Sequence, residues 1–266
     1  MDTPWLGDLP MFRSPFRMFC GAAATIAVSL SVYAAVQSAS RNPLDYEIHD
    51  MNRPMAPVVT PGSFSENCKP PSDAIVLFDG SNLDMWNGKW DVKDGYVKVI
   101  PKSGDLVTKQ AFGDCQLHIE WSADPDSKGN AQHKSNSGVF LMKIYEIQVL
   151  DTYKNENKTY ADGQAGSIYG QYPPLANPAR PAGDWNAYDI IFHRPHFDQN
   201  GKCVKPATAT VFFNGVLVQD NEAIIGPTSH AKRTDYKAHP DKLPLKLQDH
   251  RDDPIRYRNI WIRPLD

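Results

Sequence analysis

Two carboxylates, an amide and an imidazole stand where chemistry could be done. In YEIQVLD (145–151), Glu146 and Gln148 lie two residues apart. In an extended strand that spacing puts both on one face, with Tyr145, Ile147 and Val149 on the other. In CQLHIEW (115–121), Gln116, His118 and Glu120 oppose Cys115, Leu117, Ile119 and Trp121. In LQDHRDDP (247–254), His250 follows Asp249 and precedes further carboxylates. A pair of carboxylates flanking one bond is the machinery of glycoside cleavage, and a histidine beside carboxylates is held ready for proton transfer. Gln148 stands where a second acid would complete a pair within the strand, and Asp151 has the opposite parity. Glu120, from another strand, is the remaining partner for Glu146. Each residue also has a structural reading: Glu146 bonded to a neighbouring Arg or Tyr, His250 bonded to backbone, the polar faces simply hydrated.

Other groups point less sharply. His193 and His196 fall on opposite faces of a strand, which argues against a shared metal. His230, His239 and His250 could join acids as ligands, but no tight spacing groups them. Tyr153, Tyr160, Tyr169, Tyr172 and Trp185 crowd the loops. Such rings either stack on sugar faces or anchor loops in a core. There is no GxGxxG, Walker loop or GxSxG, so nucleotide-dependent and serine-hydrolase chemistry have no support.

The elements that must position these residues read as short strands. Apolar runs recur at 74–80, 89–95, 96–100, 115–121, 138–151, 186–194, 208–220 and 256–263. Asp79-Gly80, Asp94-Gly95 and Asn214-Gly215 are hairpin dipeptides, since they tolerate positive φ. No 3.6-residue apolar period persists for 12 residues beyond the N-terminal segment, so an all-β sandwich, jelly roll or barrel is predicted. Segments 152–184 and 221–254 look like long loops of the kind that carry function. The 28 Lys+Arg against 31 Asp+Glu leave a net charge of -3, with no basic stripe to bind nucleic acid.

Residues 1–39 read as a signal peptide or an N-terminal membrane anchor: Arg13 and Arg17, an apolar run over 18–36, then small residues. The mature protein is thus expected to be exported, periplasmic or extracellular, with possible membrane attachment. Residues 40–72 read as a linker or strap and 73–266 as the folded domain. Of four cysteines, Cys68, Cys115 and Cys203 lie beyond the leader. The expectation in an oxidising compartment is one disulfide and one free thiol, Cys115 being equally readable as a small core residue.

A series of strings carries a resemblance. LFDGSNLDMW (77–86), WDVKDGYV (90–97), SGDLVTKQAFGDCQLHIEW (103–121), NSGVFL (136–141), YEIQVLD (145–151), YADGQAGSIYGQYPPL (160–175), DWNAYDIIF (184–192), FNGVLVQDN (213–221), GPTSH (226–230), PLKLQDH (244–250) and RNIWIRPL (258–265) resemble, in order, the 3-keto-disaccharide hydrolase domain family. The resemblance implies a concanavalin-like jelly-roll β-sandwich of two antiparallel sheets with long functional loops. It implies an oligosaccharide or glycoside substrate already oxidised to a ketone at C3 of the sugar. Such a ketone acidifies the C2 proton, so one base, an electrophile for the O3 enolate and an acid for the leaving oxygen suffice. Two carboxylates at glycosidase spacing are not needed, which suits Gln148. On this reading Glu146 or Glu120 is the base and His250 the acid or enolate stabiliser. Gln148 and Tyr169 position the substrate, with Asp151, Gln171 and Asp249 as further binding residues. A divalent metal ion is a possible cofactor, with His250, Asp249 and Glu120 as its ligands. The alternatives are a non-catalytic lectin-like module and a conventional glycoside hydrolase of the same fold.

Overall fold

A computed structural model describes residues 42–251 and 253–266. The predicted signal or anchor at 1–39 lies outside the described residues. The strands form two antiparallel sheets, face to face, in the concanavalin-like jelly-roll arrangement. The large sheet runs β13 (Val216–Ala223), β12 (Thr208–Phe213), β9 (Asn186–His193), β6 (Cys115–Ala123), β15 (Ile255–Pro264), β4 (Tyr96–Lys98), β3 (Asp91–Lys93), with β1 (Ile75–Phe78) also paired to β15. The small sheet runs β2 (Trp86–Asn87), β5 (Leu106–Phe112), β14 (Leu243–Leu247), β7 (Ser137–Leu141), β8 (Tyr145–Val149). A separate ribbon pairs β10 (His196–Phe197) with β11 (Cys203–Lys205).

Alternation decides what each strand buries. Leu117, Ile119 and Trp121 of β6, with Tyr188, Ile190 and Phe192 of β9, face Tyr145, Ile147 and Val149 of β8 across one core. The Tyr145 and Phe192 rings meet at 5.7 Å. Two buried tyrosines tie the sheets together: the Tyr188 hydroxyl donates to Gln148 O (2.7 Å) and that of Tyr257 to Ser137 Oγ (2.7 Å). Each such bond contributes about 1 kcal/mol and fixes how one sheet sits on the other.

The turns follow their residues. Asp94-Gly95 joins β3 to β4 and Asn214-Gly215 joins β12 to β13, with both residues of each pair at positive φ, as a two-residue hairpin with right-handed strand twist requires. Asp79-Gly80 closes no hairpin, because β1 pairs with the distant β15 instead of the next strand. The run 138–151 is not one strand but the β7–β8 hairpin, turning at Met142 and Lys143 with φ of 54° and 61°. Segment 221–254 is not all loop: β14 lies inside it, between β5 and β7. Cys68, Cys115 and Cys203 are all free thiols, Cys115 being buried in the core, so the expected disulfide is absent among the described residues.

β8 is an edge strand, and loops cover its open side. Gln148 N donates to Ser167 O (3.0 Å), Gly166 N to Gln148 O (3.0 Å) and Tyr169 N to Glu146 O (3.2 Å). Glu146 N donates to Thr228 Oγ1 (3.1 Å). Residues 42–68 lie across the domain. Arg53 donates to Gln171 O (2.9 Å), Val59 N to Asn177 O (3.1 Å) and Asn67 N to Glu120 Oε1 (2.6 Å).

Candidate active site

Because Tyr145, Ile147 and Val149 face the core, Glu146 and Gln148 project from the outer face of the small sheet. Loops from 152–184 and 221–254 arch over that face and enclose a cleft of about 590 Å³. Phe140, Glu146 and Gln148 line it from the sheet; Tyr160, Tyr169, Thr228 and His230 line it from the loops. Gly138, on β7 opposite Gln148, leaves room for the carboxylate: a Cβ there would collide with Glu146 Oε1 and with the Phe140 ring.

Glu146 is 6% exposed. Burial raises its pKa to about 8; Lys246 pulls it down and Asp105 pushes it further up. Lys246 is itself shared, lying 3.1 Å from Asp105 and 3.8 Å from the centroid of the Phe140 ring. The Gln148 amide sits between Glu146 and Gln132. In one orientation its nitrogen donates to Gln132 Oε1 (2.9 Å). Turned over, it donates to Glu146 Oε1 (3.0 Å) and Ser137 O (3.1 Å), and its oxygen then lies 2.9 Å from the end of the Gln132 amide, which turns with it to donate. An ionised Glu146 selects the second orientation, since the amide oxygen would otherwise face two acceptors. A protonated Glu146 can offer its own O–H to that oxygen. Gln148 can therefore meet both protonation states of its neighbour.

The opposing wall is a hydrogen-bonded string. The hydroxyls of Tyr160 and Tyr169 lie 2.7 Å apart, and Tyr169 Oη lies 3.2 Å from His230 Nδ1. Burial raises both phenols, Tyr160 to about 12, so both keep their protons at neutral pH. His49 stacks on Tyr160 at 3.8 Å and lies 3.3 Å from Asp162 Oδ1. The strap thus braces this wall from behind.

Comparison with known proteins places the chain in a family. The profile of the 3-keto-alpha-glucoside-1,2-lyase-like domain matches residues 73–263. The chain belongs to this family. It is similar to the 3-keto-disaccharide hydrolase of Bacteroides thetaiotaomicron, 29% identical over 259 residues and covering 72% of this chain and 78% of that protein. A crystal structure of a candidate glycosyl hydrolase from Parabacteroides distasonis superposes with a TM-score of 0.73 at 46% identity, covering 80% of this chain and 93% of that one. A second candidate glycosyl hydrolase from the same organism shares the fold at a TM-score of 0.52 and 19% identity, covering 73% and 94%.

The fold brings together Glu146, Gln148, Tyr169 and His250, all of which line the cleft. It separates the other predicted site residues from them. Glu120 projects from the outer face of the large sheet, on the far side of the core from Glu146. There it accepts from Arg258 Nε (2.7 Å), Asn259 Nδ2 (2.8 Å) and Asn67 N (2.6 Å). Strand parity shows which residues share a face but not which sheet a strand joins, and β6 and β8 join different sheets. Asp151 is paired with Lys134 (3.1 Å) and accepts from Tyr153 N. Gln171 holds two loops together, donating to Gly226 O (3.0 Å) and accepting from Ile225 N (2.8 Å). Asp249 accepts from Gly104 N (2.9 Å). The ligand set of His250, Asp249 and Glu120 is therefore not assembled. His230 and His239 do not join His250 either: His239 bonds the Tyr145 hydroxyl (2.8 Å). Gln132, His133, Asn136 and Thr228 line the cleft without having been singled out. Gln132, His133 and Asn136 share one signal, a polar stretch rich in Asn, Gln and His between β6 and β7, while Thr228 comes from the separate loop after β13; the position of both over the sheet depends on tertiary structure.

Proposed function

We propose that this chain cleaves glycosides carrying a ketone at C3 of the sugar, with Glu146 as the base. The observation that carries this reading is the Glu146 carboxyl itself: buried in a sugar-sized cleft, without an ion pair to Lys or Arg among the described residues, and raised to about 8. A carboxylate of that basicity is matched to a C2–H acidified by the neighbouring ketone. Glu146 takes the C2 proton, and the C–H electrons become the enolate delocalised onto O3. The enolate re-forms the ketone as a C1=C2 double bond is made and the C1–O bond breaks. The departing oxygen takes a proton and leaves as an alcohol. Water added across C1=C2 then completes a net hydrolysis, and without it the product is the unsaturated ketone.

Gln148 turns its amide to hold Glu146 in either state. The Tyr160–Tyr169–His230 string supplies the proton for the leaving oxygen, and His250, on the rim, is assigned to the enolate oxygen. The family description and the name of the Bacteroides relative support the substrate class.

The test is incubation with a 3-keto-disaccharide in D2O. Release of the alcohol and deuterium at C2 of unreacted substrate are expected, both falling about 10²–10⁴-fold in Glu146→Gln. Full activity in that variant, or equal cleavage of the unoxidised disaccharide, overturns the reading. Binding without turnover of any sugar would make the chain a lectin-like module instead.

A further inference from the structure

One cluster on the cleft rim holds more than the reaction above uses. His250 Nδ1 lies 2.7 Å from Asp253 Oδ2, and His133 Nδ1 lies 3.9 Å from the same oxygen. One donor atom from each of the three can be chosen so that all lie within 4.8 Å of one another. The two rings are 5.7 Å apart, tilted by 35°. His133 comes from the stretch between β6 and β7. His250 and Asp253 come from a tight turn before β15, closed by Asp253 N donating to His250 O (3.1 Å), with Arg251 at φ 57°. A turn of this kind accounts for the contact of His250 with Asp253. It does not account for a second imidazole, more than half exposed, arriving at the same oxygen from another loop. Asp253 is 4% exposed, and among the described residues its ion-pair partners are these two histidines, with no Lys or Arg.

We propose that His133, His250 and Asp253 bind a divalent transition-metal ion at the mouth of the cleft. Two imidazoles and one carboxylate suit Zn²⁺, Mn²⁺, Fe²⁺ or Co²⁺ over Mg²⁺ or Ca²⁺, which prefer oxygen ligands throughout. Donors about 2.0–2.2 Å from an ion sit roughly 3–3.5 Å apart. His250 and Asp253 therefore separate slightly on binding, and His133 closes in by a rotation its exposure permits. Three protein donors leave coordination positions open. His133 and His250 both line the cleft, so a substrate oxygen can reach such a position. A second hollow, lined by Asp126, Gly129, His133 and Asp253, also borders two of the three donors. With an ion bound, His250 would act on the C3 ketone oxygen through that ion, which would supply the electrophile there, and not by touching the oxygen itself. That role rests on the proposed function; the binding does not.

The experiment uses the full chain, stripped with a chelator, dialysed and titrated with CoCl2 by calorimetry and visible absorption. The expected result is one Co²⁺ per chain, displaced by Zn²⁺. Binding should weaken at least tenfold in His133→Ala and in His250→Ala, and stay unchanged in His239→Ala. His133 is exposed, so its removal leaves the fold intact. Absence of stoichiometric binding, or binding indifferent to the His133 and His250 substitutions, overturns the site. Turnover of a 3-keto-disaccharide by the stripped protein should fall at least tenfold and return with Co²⁺. Undiminished turnover after stripping overturns the electrophilic role and leaves Glu146 as the base. Stoichiometric Co²⁺ with no turnover in any state overturns the proposed function and leaves the site.

Discussion

The outer faces of the two sheets each hold a buried glutamate two residues from a polar neighbour, and the two behave oppositely. On the large sheet, Glu120 has its pKa held at about 2. Burial works to raise it, but hydrogen bonds from His118, Asn259, Arg258 and Asn67 N overcome that. His118 is pinned between Asp189 (2.7 Å) and Glu120 (3.4 Å). Its pKa is raised: burial lowers it, and the two carboxylates more than compensate. On the small sheet, Glu146 is dominated by burial and goes up to about 8. The strand pattern is the same, and the surroundings decide the outcome. A carboxylate given every partner it can use fastens the strap to the sheet. One left short of partners inside a cleft has a proton to take or give near neutral pH.

Glu146→Gln and Glu120→Gln should separate the two faces most cleanly. The first is expected to lose activity about 10²–10⁴-fold with an unchanged or higher melting temperature at pH 8. The second is expected to lose about 3 kcal/mol of stability, read by denaturant melts, because Arg258 and the strap keep their geometry around a missing charge. The folded fraction of that variant should turn over normally, and a large kcat loss would put Glu120 back into the chemistry. Gly138→Ala should lower kcat roughly 10- to 100-fold with KM little changed, since its methyl displaces the Glu146 carboxylate without closing the cleft.

Smaller effects lie in pH. Glu146 is raised from 4.5 to about 8, so the folded chain holds its proton more tightly than the unfolded one. Its stabilising contribution is full below about 4.5 and is lost as pH rises through about 8. Glu120 is lowered to about 2, so its contribution is full above about 4.5 and is lost as pH falls towards 2. Melting curves against pH should flatten in those separate windows in the respective Gln variants. The kcat/KM of the parent should rise to a plateau above about pH 8, as the base ionises. The smallest expected effect is that of a thiol reductant: with Cys68, Cys115 and Cys203, the cysteines among the described residues, all free, melting of the folded domain should not shift when one is added.

Much of this contrast was legible in the amino-acid sequence, and its limits are physical. A period of two sorts side chains locally, so Glu146 with Gln148, and Glu120 with His118, fall correctly onto polar faces. Which sheet each strand joins depends on pairings between distant segments, such as β14 slotting between β5 and β7, and nothing local encodes that. β14 itself hides because LPLKL carries a proline and follows a polar stretch. The turn at Met142 and Lys143 hides because neither is a residue that favours positive φ. His133 passes unremarked for the same reason as Glu120 misleads: its neighbours are chosen by the fold.

The loops that roof the cleft also occupy the open side of β8, through Ser167, Tyr169 and Thr228. Trimming them to admit a bulkier sugar would bare a strand whose amides and carbonyls are ready to pair with another molecule. Widening specificity and staying in solution are therefore opposed in this protein, and selection on either one acts on the same few residues.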